Sequence, residues 1–346
     1  MKILRAYGIP ARIVDLINLL YINTRGKVIT PDGETELFEI LAGVLQGDTL
    51  APYLFIIAVD YCMRQVLKKY PDLGFTVTPA RSRRITAVKV SNVEFADDIA
   101  LSTNSVGDAE TLMKELERVA ATVGLRMNEE KTKYLVQNID TPDHLHSLSG
   151  EPIELVDDFK YLGSKIRDAE TDINARKAKA WGACHSLRKI WKSNLKRSIK
   201  IRIFTALVES VFLYGSETWT MTKRLNKIVD GCYTRMLRMA LDVNQYTERI
   251  TNNKLYGVLP KLSSKIAQRR LRLSGHAHRH PELTLNKVLF WEPTHGVAKR
   301  GRPHLTFVDN LRADTGLKSI KDISNLMEDR ELWRSTVHGA REHHPP

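Results

Sequence analysis

Asp97 and Asp98 are adjacent carboxylates set between two short apolar runs, Val93–Phe95 and Ile99–Leu101. Such a strand–turn–strand pattern can hold acidic side chains out at a rigid edge. Hard cations such as Mg²⁺ take oxygen ligands, often one or two carboxylates completed by substrate phosphates. Two such ions can clamp the attacking and leaving oxygens of a phosphoryl transfer. Read alone, an Asp-Asp pair is more often a solvated turn, because aspartate there bonds its own backbone. The neighbours decide the matter.

Upstream lies Gly43-Val44-Leu45-Gln46-Gly47-Asp48-Thr49, a loop that opens a long apolar stretch ending near Lys69. Glycine lets a nucleic-acid strand approach the backbone closely, and the Gln46 amide can both donate and accept. Simple capping of the following helix by Asp48 or Thr49 is the plainer alternative. Downstream come Gly124-Leu125-Arg126-Met127-Asn128-Glu129-Glu130-Lys131-Thr132-Lys133 and then Phe159-Lys160-Tyr161-Leu162-Gly163-Ser164.

The elements that must position these blocks read as α+β. Ile13, Val14, Ile17, Leu20 and Tyr21 share one helical face, with Pro10 suited to the first turn; Asp15 then points away from the stripe as a solvated residue. Lys27–Thr30 and Glu36–Leu41 flank Pro31-Asp32-Gly33, a hairpin signal. Thr49–Lys69 predicts a long helix, Ile85–Val90 a further strand. Val106, Ala109, Leu112, Met113, Leu116, Val119, Ala120 and Val123 repeat at helical steps, and Gly124 is placed to end that helix. Short strands are expected around Tyr134–Val136, Ile153–Leu155 and Lys160–Leu162. From Glu170 helical periodicity dominates, with helices expected over Ile199–Leu213, Lys223–Leu241, Ser263–Gly275 and Ile320–Val337 and a loop-rich stretch beyond His276.

In this order the four blocks resemble the later palm motifs of reverse transcriptases, most closely those of the non-LTR (LINE-type) retrotransposons of animals. The resemblance implies a partial right-hand polymerase palm, an antiparallel sheet with helices, over residues 1–165. An all-α thumb over 166–275 and a basic C-terminal extension over 276–346 would follow. It further implies RNA-directed DNA polymerase activity by two-metal nucleotidyl transfer with two Mg²⁺ ions. The partners would be an RNA template, a DNA primer or target, and deoxynucleoside triphosphates. Asp97 and Asp98 would be catalytic metal ligands. Gln46 and Gly47 would pack against the template base and incoming nucleotide. Lys131 would act as general acid or steady the phosphates, although locally it is equally an exposed lysine in a charged loop. Phe95, Tyr161 and Gly163 would meet nucleic acid, with Phe159–Ser164 as the hairpin that grips the primer strand; Tyr161 could equally be core. In the family an earlier strand carries the first catalytic aspartate, and this sequence starts after the corresponding position. The expectation is therefore weak or no activity for this chain by itself. The rival is a non-catalytic nucleic-acid-binding remnant of a mobile element.

Charge points to a polyanion. The chain has 53 Lys and Arg against 40 Asp and Glu, a net charge of +13. Met1–Lys165 holds 19 basic and 23 acidic residues; Ile166–Pro346 holds 34 and 17, a net +17. Such asymmetry implies a phosphate-bearing partner for the second half. Within it, Lys299-Arg300-Gly301-Arg302-Pro303 resembles an AT-hook, whose arginines enter a narrow minor groove. General phosphate contact by Lys299, Arg300 and Arg302, or a plain loop, are the alternatives. Gly275-His276-Ala277-His278-Arg279-His280 could bind a metal, but no cysteines accompany it as in a zinc knuckle. Leu213-Tyr214-Gly215-Ser216-Glu217-Thr218-Trp219 also resembles the family and receives no catalytic role. Three scattered cysteines argue against a disulfide framework. The sequence holds no apolar run of membrane-spanning length and no secretory leader at its start. An intracellular location, nucleus or cytoplasm, is expected.

Overall fold

The structure, a computed structural model, describes residues 1–41, 43–45, 47–80, 82, 86–137, 143–292 and 305–340. Gln46 and the motif containing Lys299, Arg300 and Arg302 lie outside the described residues. By internal contacts the chain falls into two compact units, Met1–Val156 and Asp157–Pro346.

The first unit is mixed helix and short strand. Its helices are Lys2–Ala6, Ala11–Tyr21, Ala51–Lys69 and Val106–Thr122. The Val106–Thr122 helix shows how sequence sets its ends. Ser105 Oγ accepts from the Asp108 amide at 3.1 Å, which satisfies one of the unpaired first-turn donors. At the other end Gly124 takes φ +81°, and the amides of Gly124 and Leu125 bond back to Ala121 and Ala120. That is the Schellman pattern expected of a glycine just past a helix. Leu112 of this helix packs on Met63 and Val66 of the Ala51–Lys69 helix, with Ile99 and Leu101 against them.

Among the described residues the strands pair two by two, all antiparallel except Lys133–Tyr134 with Glu154–Leu155. The hairpin around Pro31-Asp32 forms, with Thr30 opposite Gly33 and Gly26 opposite Phe38. Asp15 is exposed and faces Arg5 at 3.4 Å. The expected stripe on its helix is only half used. Val14 and Ile17 are buried, whereas Ile13 and Leu20 are exposed. The buried pair meets Leu4, Leu50, Leu54 and Ile57, and this narrow contact leaves the flanks of the apolar arc uncovered.

Among the described residues the second unit is helical apart from the hairpin Lys160–Tyr161/Ser164–Lys165. Its main core joins the helices Ala169–Ser186, Arg197–Phe204, Lys223–Ala240 and Leu262–His278 around Phe204, Tyr233, Met236 and Trp191. Where one helix was expected over Ile199–Leu213, a π-helical segment, Thr205–Glu209, interrupts it. Buried Glu209 accepts there from Tyr233 at 2.6 Å and from Lys265 at 2.5 Å. A second core packs Leu271, Ile323, Met327, Trp333 and Val337. The expected final helix is two, Ile320–Glu328 and Arg330–Gly339, broken at Asp329, whose carboxylate accepts from the amides of Glu331 and Leu332. The Leu262–His278 helix runs past Gly275, so His276 and His278 stand on it rather than in a loop. No helix among the described residues is long and apolar enough to cross a membrane.

Candidate functional site

The acidic pair sits at the end of the hairpin Asn92–Phe95/Asp98–Leu101, in the register Asn92↔Leu101, Val93↔Ala100, Glu94↔Ile99, Phe95↔Asp98. Strand alternation sorts the side chains by face. Ile99 and Leu101 enter the core between the long helices. The opposite face carries Val93, Phe95 and Asp98, and Phe95 is 63% exposed. Asp97 occupies the two-residue turn, and both carboxylates are exposed. The apolar face thus anchors the hairpin while its polar end stays open.

The turn is strained. Ala96 takes φ +56°, a left-handed conformation that tight hairpins normally assign to glycine. For alanine this costs about 1–2 kcal/mol, part of which glycine would return through its own entropy of ordering. Ala96→Gly is therefore expected to stabilise the chain by roughly 0.5–1 kcal/mol, read as a higher midpoint in thermal unfolding. Held strain of this kind gathers at functional sites.

Glu94 shares the inner face. Burial raises its pKa, its bond to the Asn92 amide works against this, and the charge of Asp60 adds to it. Asp60 is bound by Tyr7 at 2.5 Å and by Arg64 at 2.7 Å. Burial and that carboxylate push the Tyr7 hydroxyl up to about 12. This cluster touches the hairpin only through the charge of Asp60 on Glu94 and is not part of the hairpin's open end.

Gly47 is exposed with φ +93°, which a side chain would resist. The loop after it is tied down by Asp48, whose carboxylate accepts from Tyr21 at 2.5 Å and from the Leu50 amide at 3.1 Å. The Tyr21 bond is the main reason the Asp48 pKa is lowered. Lys131 ends a turn in which its amide donates to Asn128 Oδ1 at 3.1 Å, and its side chain is exposed. Phe95, Asp97 and Asp98 are thus brought together on one hairpin, while Gly47 and Lys131 stand on separate loops of the same unit.

The acidic pair offers only hard oxygen donors at an open tip. This suits Mg²⁺ bound by one or two carboxylates, with phosphate and water completing its shell. Among the described residues no third His, Cys, Asp or Glu joins the pair in a group that could hold a metal ion. The histidine motif forms no such group either. His276 and His280 lie ring to ring at 4.4 Å, His280 binds Glu282 at 2.8 Å, and His278 binds Ser324 at 3.3 Å.

Tyr161 and Gly163 belong to the second unit, on the hairpin Lys160–Lys165. The same unit carries a cationic stretch that the motifs do not single out. From Ile173 to Val208 there are ten Lys and Arg and no Asp or Glu. Arg188, Lys189, Lys192, Lys196, Arg197 and Arg202 are exposed. Counting acids as well as bases along the chain finds it.

Residues 1–166 match the family model described as reverse transcriptase (RNA-dependent DNA polymerase). A transposon-derived protein of Caenorhabditis elegans is 25% identical over 271 residues, covering 73% of this chain and 97% of the relative. The Pol polyprotein of the type-1 retrotransposable element R2 of Popillia japonica is 24% identical over 71% of this chain. That of the type-2 element R2DM of Drosophila melanogaster is 25% identical over 69%. The chain spans only 40% and 23% of the length of these two polyproteins. Divalent metal ions are the general cofactors of the reverse transcriptase family, and its domains bind nucleic-acid templates and primers. Over residues 1–166 the chain is similar to reverse transcriptase domains, and it resembles the Pol polyproteins of R2-type non-LTR retrotransposons.

Proposed function

We propose that the chain serves RNA-directed DNA synthesis in a non-LTR retrotransposon, with residues 1–165 as palm, 166–275 as thumb and 276–346 as a basic extension. The observation that carries this reading is the open Asp97–Asp98 tip on a hairpin whose other face is locked into the core. Asp97 and Asp98 would hold Mg²⁺, which when bound supplies charge neutralisation at the primer 3′-oxygen and at the departing pyrophosphate. The chain's own residues do the rest. Phe95 offers an exposed ring beside the pair for stacking. Gly47 lets template and nucleotide lie against bare backbone, and the Gln46 amide offers them a donor and an acceptor. Lys131 steadies the triphosphate or supplies a proton to the leaving group. Tyr161 and Gly163 belong to a primer-contacting hairpin, and Lys299, Arg300 and Arg302 add phosphate contacts. RNA template, DNA primer and deoxynucleoside triphosphate are the partners, met in the nucleus or cytoplasm.

A second reading, a nucleic-acid-binding remnant without catalysis, is favoured by one observation: no third metal-ligating side chain joins Asp97 and Asp98 among the described residues. Binding measurements separate the two. In the catalytic reading Mg²⁺ with a correct deoxynucleoside triphosphate tightens binding to a recessed RNA–DNA primer–template, and Asp97→Asn abolishes the tightening. In the remnant reading binding is indifferent to both.

Either reading predicts salt-dependent binding through the cationic stretch. Replacing Arg188, Lys189, Lys192 and Lys196 by alanine is expected to flatten the slope of log K against log salt. The change should be about 0.9 for each duplex phosphate that the protein no longer neutralises. Fluorescence anisotropy across a salt series measures it. An unchanged slope would remove this stretch from the interface.

A further inference from the structure

The hairpin Lys160–Lys165 raises a question that its sequence does not answer. Tyr161 pairs with Ser164, so Leu162-Gly163 is a two-residue turn, and both residues have positive φ, +46° and +87°. That is the signature of a turn favouring Asn-Gly or Gly-Gly. A leucine there is a conformational outlier, and something must hold it.

Two segments of the same unit supply the hold. From Leu213–Trp219, Tyr214 Oη donates to the Leu162 carbonyl at 2.8 Å. From the Ala169–Ser186 helix, Arg176 Nη2 donates to the Gly163 carbonyl at 2.5 Å and to Ser164 Oγ at 3.1 Å. The Lys165 amide donates to Asp172 Oδ1 at 3.0 Å, and Trp219 Nε1 fixes the other oxygen at 2.8 Å. The Arg176 guanidinium lies over the Tyr214 ring at 4.2 Å. Asp172, Arg176 and Trp219 are each at least 95% buried, yet Asp172 and Arg176 make these bonds to the turn and its flank. Gly215 closes the fit: at φ +73°, a Cβ on it would sit 2.5 Å from Ser164 Oγ. On the rim, Lys179 is exposed beside Lys160 and Arg176; burial and these charges lower its pKa. Cations crowded in this way suit a phosphate chain.

We propose that Tyr214 and Arg176 are positioning residues for the primer-contacting hairpin, locking the strained Leu162-Gly163 turn from behind so that its exposed rim presents Lys160 in one arrangement to the primer strand. This gives a role to Leu213–Trp219, which has none in the chemistry, and it rests on the primer-contacting reading above.

The test uses the full chain and Tyr214→Phe, which keeps the ring over Arg176 and removes only the donor. Hydrogen exchange of the 160–165 amides should quicken by roughly five- to tenfold, as expected for one hydrogen bond removed, with Lys223–Ala240 unchanged. Adding Leu162→Asn, a residue that tolerates positive φ, should restore the protection. In parallel, affinities for a recessed RNA–DNA primer–template and a blunt duplex of equal length are compared. Wild type should prefer the recessed end; Tyr214→Phe should lose most of that preference and keep its blunt-end affinity. Unchanged exchange in Tyr214→Phe would overturn the positioning role. Faster exchange with the preference intact would overturn its link to the primer. Wild type without any end preference would instead sink the primer-contacting reading of the hairpin, whatever the exchange shows.

Discussion

Asp314→Ala should destabilise the second unit by about 3–5 kcal/mol, the usual cost of stranding one member of a buried ion pair. Arg270 and Asp314 lie 2.8 Å apart with side chains 2% and 6% exposed. Burial pulls the Arg270 pKa down and only the charge of Asp314 pushes it back. Without that carboxylate the guanidinium is a buried charge that has lost its counter-ion. Combining Arg270→Met with Asp314→Leu should recover most of the loss. Two well-packed apolar groups then replace a pair whose desolvation cost offsets its attraction. Chemical denaturation of wild type, the two single variants and the double variant measures the coupling. Additive losses would show that the pair does not interact as its distance implies.

Gly275→Ala is the second large effect, and its sign is opposite to ordinary expectation. In the middle of a helix alanine normally beats glycine by about 1 kcal/mol. Here a Cβ would lie 2.1 Å from Trp333 Nε1 and 2.4 Å from its Cδ1. Trp333 is buried, and its indole donates to the Leu271 carbonyl at 2.9 Å. The ring must move, which adds overpacking strain of about 1–3 kcal/mol and breaks a buried hydrogen bond worth roughly 1–3 kcal/mol. Set against the helix gain, a net loss of about 2–4 kcal/mol is expected. Near-ultraviolet circular dichroism during heating would report it from the Trp333 environment. A midpoint at or above wild type would mean the two helices can part cheaply.

What the sequence disclosed and what it concealed divide along the range of the interactions. The acidic hairpin, the Pro31-Asp32 turn and the Gly124 cap were readable because each is fixed by residues a few positions apart. The extension of the last long helix through His278 was hidden, since Gly275 reads as a stop signal. Its glycine is instead required by Trp333, 58 positions away. The stripe of Ile13 and Leu20 was over-read because periodicity reports a face and not the width of the surface that covers it. Asp172 and Arg176 look like ordinary charges on a helix, and nothing local says that they face a hairpin turn. The π-helical turn at Thr205–Glu209 was equally hidden, its buried Glu209 being held by Tyr233 and by Lys265, 56 positions on.

The central claim is that Asp97 and Asp98 bring a divalent ion to the primer end. It is tested most directly by replacing Mg²⁺ with Fe²⁺ in the complex with primer–template and deoxynucleoside triphosphate, then adding ascorbate and peroxide. Hydroxyl radicals formed at the bound iron cut whatever lies beside it. The account predicts cuts within residues 92–101 and at the primer's terminal nucleotides, both lost in the doubly substituted Asp97→Asn, Asp98→Asn chain. Cuts that persist in that variant, or that cluster elsewhere in the chain, would contradict it.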